Sequence, residues 1–233
     1  MSTIVRAGTA ARAGAALLLL GPLVSWVAEF ITAAAWQHPH YAPLYNWVSH
    51  LGLTGPRQVA FGQVGNSPLG AVMDTGWVIY GVFLIVGALL TFNVRRGGRP
   101  ISIVVFAVIA GLGVSLVGIF QGSNANVANG LINFHQFGAQ GVIVAGNIMA
   151  ILVGAAASRI GLTRARGTAS IVLGVFGLVM FVVFMADVFT GWAFDIGMFE
   201  RGAIYPIMVG HVLLGTGILA AQRTPAFTTR KAA

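Results

Sequence analysis

The stretch Tyr41–Gly52, YAPLYNWVSHLG, lies between two long apolar segments and organises the outer part of the chain. Pro43 suits the first position of a helix because its missing N–H costs nothing there, and Gly52 suits the end of one. A helix would separate an apolar face from a polar one. The apolar face would carry Leu44, Trp47, Val48 and Leu51, and the polar face Asn46, Ser49 and His50. The pattern predicts a short interfacial helix that covers a polar pocket.

The flanking chain contains six apolar segments of about 20 residues or slightly more, the length that crosses the hydrocarbon core of a bilayer. The predicted spans are about 13–35, 70–94, 101–120, 134–157, 169–189 and 203–221. No linker indicates a second domain. The fold expected is therefore an all-α integral membrane bundle of six transmembrane helices in one domain, 1–233.

Composition supports this class. The chain of 233 residues is 57% hydrophobic and 8% charged, with mean hydropathy +0.87, whereas soluble domains carry about 25% charged residues. The net charge of +8 does not indicate nucleic acid, because the basic residues lie in short runs between apolar segments. Cysteine is absent, which excludes disulfides and cysteine-based metal sites.

The basic residues also predict orientation. Eleven of the 13 Lys and Arg residues fall on one side of the predicted spans, leaving Arg57 and Arg201 on the other. By the positive-inside rule both termini are expected in the cytoplasm of a bacterial cell, with the protein in the plasma (inner) membrane. An alternative makes the first span a cleaved signal peptide ending near Ala33–Ala35. Its length, Trp26 and Glu29 favour a retained anchor.

With this orientation, acidic residues and most histidines fall in the outer half of the protein. Ionisable groups within spans are costly, usually face the bundle interior and often mark function. These residues therefore predict an outward-facing polar pocket. Its candidate residues are Glu29, Asn46, Ser49, His50, Asp74, His135, Gln136, Asp187, Glu200, Arg201 and His211. The alternatives are solvation near helix ends, structural hydrogen bonds, and helix association through amides such as Gln140 and Asn147.

Four blocks of the sequence can be compared with known families: YAPLYNWVSHLG, NSPLGAVMDTG, FHQFGAQGVIVAGN and GMFERG. Together they resemble the domain-of-unknown-function 998 family of multi-pass membrane proteins. The residues matched are Asn46, Ser49, Gly52, Asn66, His135, Gly138, Asn147, Glu200 and Arg201. His50 and Asp74 depart from the family pattern, which commonly has an acid and an amide there. The resemblance implies six helices and no particular reaction.

Three functions remain open. The favoured one is binding of a lipid or envelope intermediate, or an accessory role, with Arg201 holding an anionic headgroup through its planar fork. The second is a metal-assisted lipid hydrolase; zinc is the metal considered, and the weak ligand candidates are His50, His135, His211 and Asp187. The third is a proton-coupled transporter with Glu29 and His211 as relays. Membrane lipids are the expected partners, and a second copy of the chain or another membrane protein is possible.

Overall fold

Six helices long and apolar enough to cross a membrane make up most of the molecule. A computed structural model describes residues 8–92, 101–191 and 195–221. Numbered in chain order with one short helix, the helices are α1 (Thr9–Ala35), α2 (Gly70–Phe92), α3 (Ile101–Ile119), α4 (Asn124–Ala128), α5 (Ile132–Ala155), α6 (Arg164–Thr190) and α7 (Ile196–Ala221). The prediction of an all-α bundle with six spans is confirmed.

Several helices begin earlier than the predicted spans, α6 and α7 by the most residues. Helix α6 begins at Arg164, where the Thr163 hydroxyl caps it by accepting from the Arg166 amide. Helix α7 begins at Ile196, so Glu200 and Arg201 lie within its first two turns and are not in a loop. Apolar windows end at charged residues, but a helix continues as long as its polar groups find partners.

Helices adjacent in the chain are adjacent in space, and α7 returns to pack against α1. Small residues allow close approach at these contacts, as the pairs Gly111 with Ser115 and Gly174 with Gly177 predict. A Cβ at Gly81 would lie 2.2 Å from the Ser115 Oγ, and one at Gly174 would lie 2.5 Å from the Asn147 carbonyl oxygen. A Cβ at Gly215 would lie 2.6 Å from the Ala15 carbonyl oxygen, so α1 begins where α7 ends.

Helices α5 and α6 pack closely in one half and separate in the other. At the close end, a Cβ on Gly154 would lie 2.4 Å from the Gly167 carbonyl oxygen. Toward the other end, α6 presents Phe181 and Phe184 where it faces α5. Because large side chains hold the backbones apart where glycines do not, a cavity forms between the halves of these helices that lie away from Gly154 and Gly167.

The segment between α1 and α2 does not form the helix predicted from Pro43. Residues 43–45 form a turn, and a 3-10 helix of one turn follows at Ser49–Gly52. The Asn46 Oδ1 accepts from the Ala42 amide at 2.8 Å, a local bond that closes the turn and competes with helix formation. The predicted faces are also wrong: Leu44 is 57% exposed, whereas His50 is 1% exposed.

A short antiparallel hairpin follows, with strands β1 (Gln58–Ala60) and β2 (Gln63–Gly65). Phe61 and Gly62 form its two-residue loop, and both have positive φ angles, of 48° and 77°. Two-residue hairpin loops require this backbone conformation, which glycine adopts easily and phenylalanine rarely. The backbone is therefore strained at Phe61, and the turn places the Phe61 ring over the end of the helix bundle.

Candidate functional site

A cavity of about 310 Å³ lies inside the half of the bundle that contains the α1–α2 loop. All six long helices contribute to its wall, which is mostly apolar and aromatic and includes Trp77, Ile143, Phe181 and Met208. Cavities of roughly 300–1,000 Å³ with apolar walls and a few polar groups are typical binding sites for small ligands. The cavity is therefore large enough for a ligand or part of one.

Residues that line the cavity and are also exposed mark its opening. On α5 these are Gln136 and Gln140, and on α6 they are Val188 and Phe189, the last 81% exposed. In the hairpin loop, Phe61 also lines the cavity and is 50% exposed. The opening thus runs between α5 and α6, on a side of the bundle that would face lipid. An apolar ligand could enter along this gap from within the bilayer.

The α1–α2 loop closes the end of the cavity. Trp47, Val48 and Ser49 line it from the segment before and within the 3-10 helix, and Phe61 lines it from the hairpin. Gln63 of β2 holds this segment in place, because its Nε2 donates to the Tyr45 carbonyl at 2.7 Å. The stretch YAPLYNWVSHLG therefore covers a cavity, although as turns and not as an amphipathic helix.

Glu200 fixes the start of the 3-10 helix. Its carboxylate accepts from the Val48 amide and, at 3.3 Å, from the Ser49 amide. Amides at the start of a helical turn have no partner within the turn, so a carboxylate there is stabilising. Glu200 also lines the cavity.

Arg201 joins the loop to α1 and α7. Its Nε donates to the Glu29 Oε1 at 3.0 Å, and its Nη2 contacts the same oxygen at 3.0 Å and donates to the Tyr41 hydroxyl. Its Nη1 donates to the carbonyls of Pro43, Asn46 and Gly197. The Arg201 side chain is 8% exposed. Every face of its fork is thus used within the protein, which argues against the predicted contact with an anionic headgroup.

Tyr41 completes this junction. Its hydroxyl accepts from Arg201 and donates to the Trp47 carbonyl at 3.0 Å. Burial raises the pKa of Tyr41 above its ordinary value, an effect that Arg201 only partly offsets, so the phenol keeps the proton that it donates. The hydrogen bond to the Trp47 carbonyl therefore depends on a neutral Tyr41.

Glu29 is the acidic partner of Arg201 and also lines the cavity. Its Oε1 accepts a second bond, from the Tyr205 hydroxyl at 2.7 Å. Glu29 as a whole is 6% exposed. The Arg201 guanidinium and the Tyr205 hydroxyl thus satisfy this buried carboxylate, and Glu29 is one of the few polar groups in the cavity wall.

His135 lines the cavity from α5. Its Nδ1 lies 2.7 Å from the Phe120 carbonyl oxygen at the end of α3. Gln136 follows it on the exposed side of the helix. With Glu29, Ser49 and Glu200, these are five of the eleven predicted residues that the structure brings to the cavity wall.

The other six do not line it, which corrects the prediction of one shared polar pocket. Of these six residues, His50 packs against two residues of the cavity wall. Its ring forms a triangle with the rings of Trp47 and Phe61, with centroids 6.0–6.3 Å apart. Burial lowers the pKa of His50 from 6.5 to about 4, and neighbouring His135 adds to this. His50 therefore lies behind aromatic residues that form the wall.

Asn46, Asp74 and Arg201 have structural bonds instead. Asn46 Nδ2 donates to Gln63 at 3.3 Å. Asp74 accepts from Gln121 at 2.9 Å, and Gln121 accepts from the Thr54 hydroxyl at 2.8 Å, which ties α2 to both loops at this end. These polar residues hold connections together and do not line the cavity.

His211 and Asp187 are buried apart from the other candidates. The His211 Nδ1 bonds the Tyr80 hydroxyl at 2.8 Å, and Tyr80 reaches the cavity. Within the described residues no hydrogen bond links this pair to Glu29, so the proton relay that a transporter would need is not formed there. Both Asp187 carboxylate oxygens lack a partner among the described residues, and we have no physical account of this.

The metal hypothesis also lacks geometric support. In the described parts of the chain, no three or more His, Asp or Glu side chains are grouped as metal ligands would be. His135 and His50 lie close together, but His211 and Asp187 are not part of their group.

Sequence reasoning missed several residues that shape the site. Tyr205 and Tyr80 line the cavity and bond Glu29 and His211, and Gln63 and Phe61 belong to an unpredicted hairpin. The position of Tyr205 four residues after Arg201, on one helix face, was an available signal. The hairpin gave none, because its strands are three residues long.

Six apolar helices around an inner cavity define a multi-pass integral membrane protein. Residues 19–217 match the family described as "Protein of unknown function (DUF998)", so the chain belongs to this family. The curated proteins contain no match to the chain, and neither do the solved structures.

Proposed function

We propose that this protein binds a membrane lipid or envelope intermediate, whose hydrocarbon chain occupies the cavity between α5 and α6. The cavity itself supports this proposal: it is mostly apolar, measures about 310 Å³ and opens between two helices long enough to span a membrane. A water-soluble ligand would not need a lateral opening. An acyl or isoprenoid chain would leave the bilayer through that gap and exchange lipid contacts for protein contacts.

Polar side chains at the opening support a ligand with a polar end. Gln140 is exposed and lies eight residues into α5, about 12 Å from its start at 1.5 Å per residue. A polar group left unpaired in hydrocarbon is costly. A headgroup or its associated water would supply the partner that Gln140 lacks in the described residues.

The distribution of basic residues supports an outer-leaflet site in a bacterial plasma membrane. Arg12, Arg159 and Arg166 lie near the start of α1, after α5 and at the start of α6, at the end opposite the loop that covers the cavity. The positive-inside rule assigns this end to the cytoplasm. The cavity then opens into the outer leaflet, where envelope lipids are displayed.

The test is to fill the cavity. Ala139 lines it, whereas Ala155 is exposed at the far end of the same helix and does not. Native mass spectrometry of protein extracted with its own membrane lipids should show a bound lipid in the parent and in Ala139→Phe a loss of most of it. Ala155→Phe makes the same change outside the cavity and should retain the lipid. Equal lipid occupancy in both variants, or none in the parent, would overturn the proposal.

A further inference from the structure

We propose that the cavity selects an uncharged lipid alcohol, whose hydroxyl donates a hydrogen bond to the Nε2 of His135. This inference rests on the proposed lipid-binding function and names the chemical class of the ligand. It follows from the tautomer of His135 and from the charges on the cavity wall.

The bond to Phe120 determines the tautomer. A carbonyl oxygen can only accept, so the His135 Nδ1 that lies 2.7 Å from it must carry a proton. In the neutral ring the Nε2 then has a free lone pair. A neutral ring is the form expected for an imidazole that is 7% exposed and has no acidic partner among the described residues.

The Nε2 lies among residues of the cavity wall. The Nε2 is the ring atom nearest to Gly122, another lining residue, at 3.7 Å from the position a Cβ would take there. No described residue donates a hydrogen bond to it. A ligand in the cavity therefore meets an acceptor, and the group that satisfies it must bring its own proton.

The charges on the wall exclude an anionic headgroup. Among the lining residues that the structure describes, the charged ones are Glu29 and Glu200, both acidic. Arg201 is the cation that pairs with Glu29. Its N–H groups donate hydrogen bonds to Glu29, Tyr41 and three backbone carbonyls. A phosphate would find no free cation there and would approach two carboxylates. A hydroxyl carries no such penalty.

The glutamines supply the complementary bond. Gln136 and Gln140 are one helical turn apart on α5, and both line the cavity, as His135 does. Their amide N–H groups can donate to the oxygen of a hydroxyl that donates to His135. A lipid alcohol, such as a prenol, a long-chain alcohol or a diacylglycerol, can therefore be bound through both its proton and its lone pairs.

Three probes with one chain separate these chemistries. Mid-chain dibrominated hexadecanol, its methyl ether and its phosphate monoester differ only at the head. Bromine quenches tryptophan fluorescence, and Trp47 and Trp77 line the cavity. Each probe is titrated into protein held in nanodiscs, with Ala139→Phe as the measure of quenching from the surrounding bilayer.

The alcohol should bind about tenfold more tightly than the ether, the size expected for one hydrogen bond to a buried acceptor, and more tightly than the phosphate. In His135→Phe this preference for the alcohol over the ether should disappear, while ether binding persists and shows an intact cavity. His135→Gln keeps a side-chain acceptor and should restore part of the preference.

The outcomes distinguish the two proposals. Saturable binding of all three probes with equal affinity overturns the alcohol assignment and leaves the lipid-binding function standing. The same holds if the phosphate binds most tightly, or if His135→Phe keeps the full preference. Quenching no different from that of Ala139→Phe for every probe overturns the lipid-binding function as well.

Discussion

His50 shows how much a single side chain depends on its neighbours. The sequence pattern places it on a polar face with Asn46 and Ser49. In the structure, however, His50 is 1% exposed and packs between Trp47 and Phe61. Neither ring nitrogen has a partner in the described residues. Because the surroundings offer no acceptor and little water, the neutral imidazole is the stable form.

This burial predicts a loss of stability in acid. The pKa of His50 is about 4 when folded and 6.5 ordinarily. Between these values the unfolded chain binds a proton that the folded protein excludes, so His50 favours folding fully above pH 6.5 and progressively less as the pH falls toward 4. The unfolding temperature in detergent should therefore decline less between neutral pH and about pH 4.5 in His50→Phe than in the parent.

His40 provides the matched control, since it lies in the same loop and is exposed. His40→Phe should follow the parent profile. If His50→Phe and the parent lose stability equally on acidification, the buried neutral state of His50 is wrong.

At the scale of elements, the start of α7 docks the loop that covers the cavity. Glu200 binds two successive amides of this loop and Arg201 binds two of its carbonyls. A Cβ at Gly197 would lie 2.2 Å from the Asn46 carbonyl oxygen, which shows how closely the two elements approach. The loop holds its shape through these contacts, because it has little regular structure of its own.

Replacing the guanidinium should therefore loosen the loop even when the charge is kept. Arg201→Lys retains the ion pair with Glu29 but not the planar fork that reaches Tyr41 and the carbonyls. We expect a loss of about 2–3 kcal/mol from the carbonyls left unpaired, or roughly 5–10 °C in thermal unfolding. Proteolysis of the loop should become faster.

Arg57→Lys is the control, because Arg57 is exposed in the same loop. It should unfold at the temperature of the parent. Equal unfolding temperatures and equal proteolysis of the two variants would contradict the docking role of Arg201.

At the scale of the whole molecule, the proposed outer-leaflet site requires that the end of the bundle containing the cavity faces outward. The absence of native cysteine allows single cysteines to be labelled without background. Val127 lies in α4, at the end with the covering loop, and Ser158 lies in the connection between α5 and α6 at the other end. Both are exposed.

A membrane-impermeant maleimide added to intact cells should therefore label Val127→Cys, and label Ser158→Cys only after the membrane is opened. The physical reason is the excess of basic residues beside Ser158, which favours retention in the cytoplasm. The reverse pattern would place the cavity in the inner leaflet.

The amino-acid sequence by itself determined the number of spans. Each span requires about 20 predominantly apolar residues, and apolar runs of this length are typical of membrane helices. It also determined the stretch that covers the cavity and five of the polar residues in its wall, Glu29, Ser49, His135, Gln136 and Glu200. Asn147 was correctly allowed a structural role: its Nδ2 bonds the Ala203 carbonyl at 2.9 Å and joins α5 to α7.

Only the tertiary structure decided which polar side chains meet. Glu29 and Arg201 are 172 residues apart in the chain and pair at 3.0 Å. Asp74 bonds Gln121 and the His50 ring stacks on Trp47, and neither Asp74 nor His50 lines the cavity. Such choices depend on where helices approach and where they separate. That spacing is set by glycine contacts and bulky side chains acting together across helices, which no local pattern in the sequence encodes.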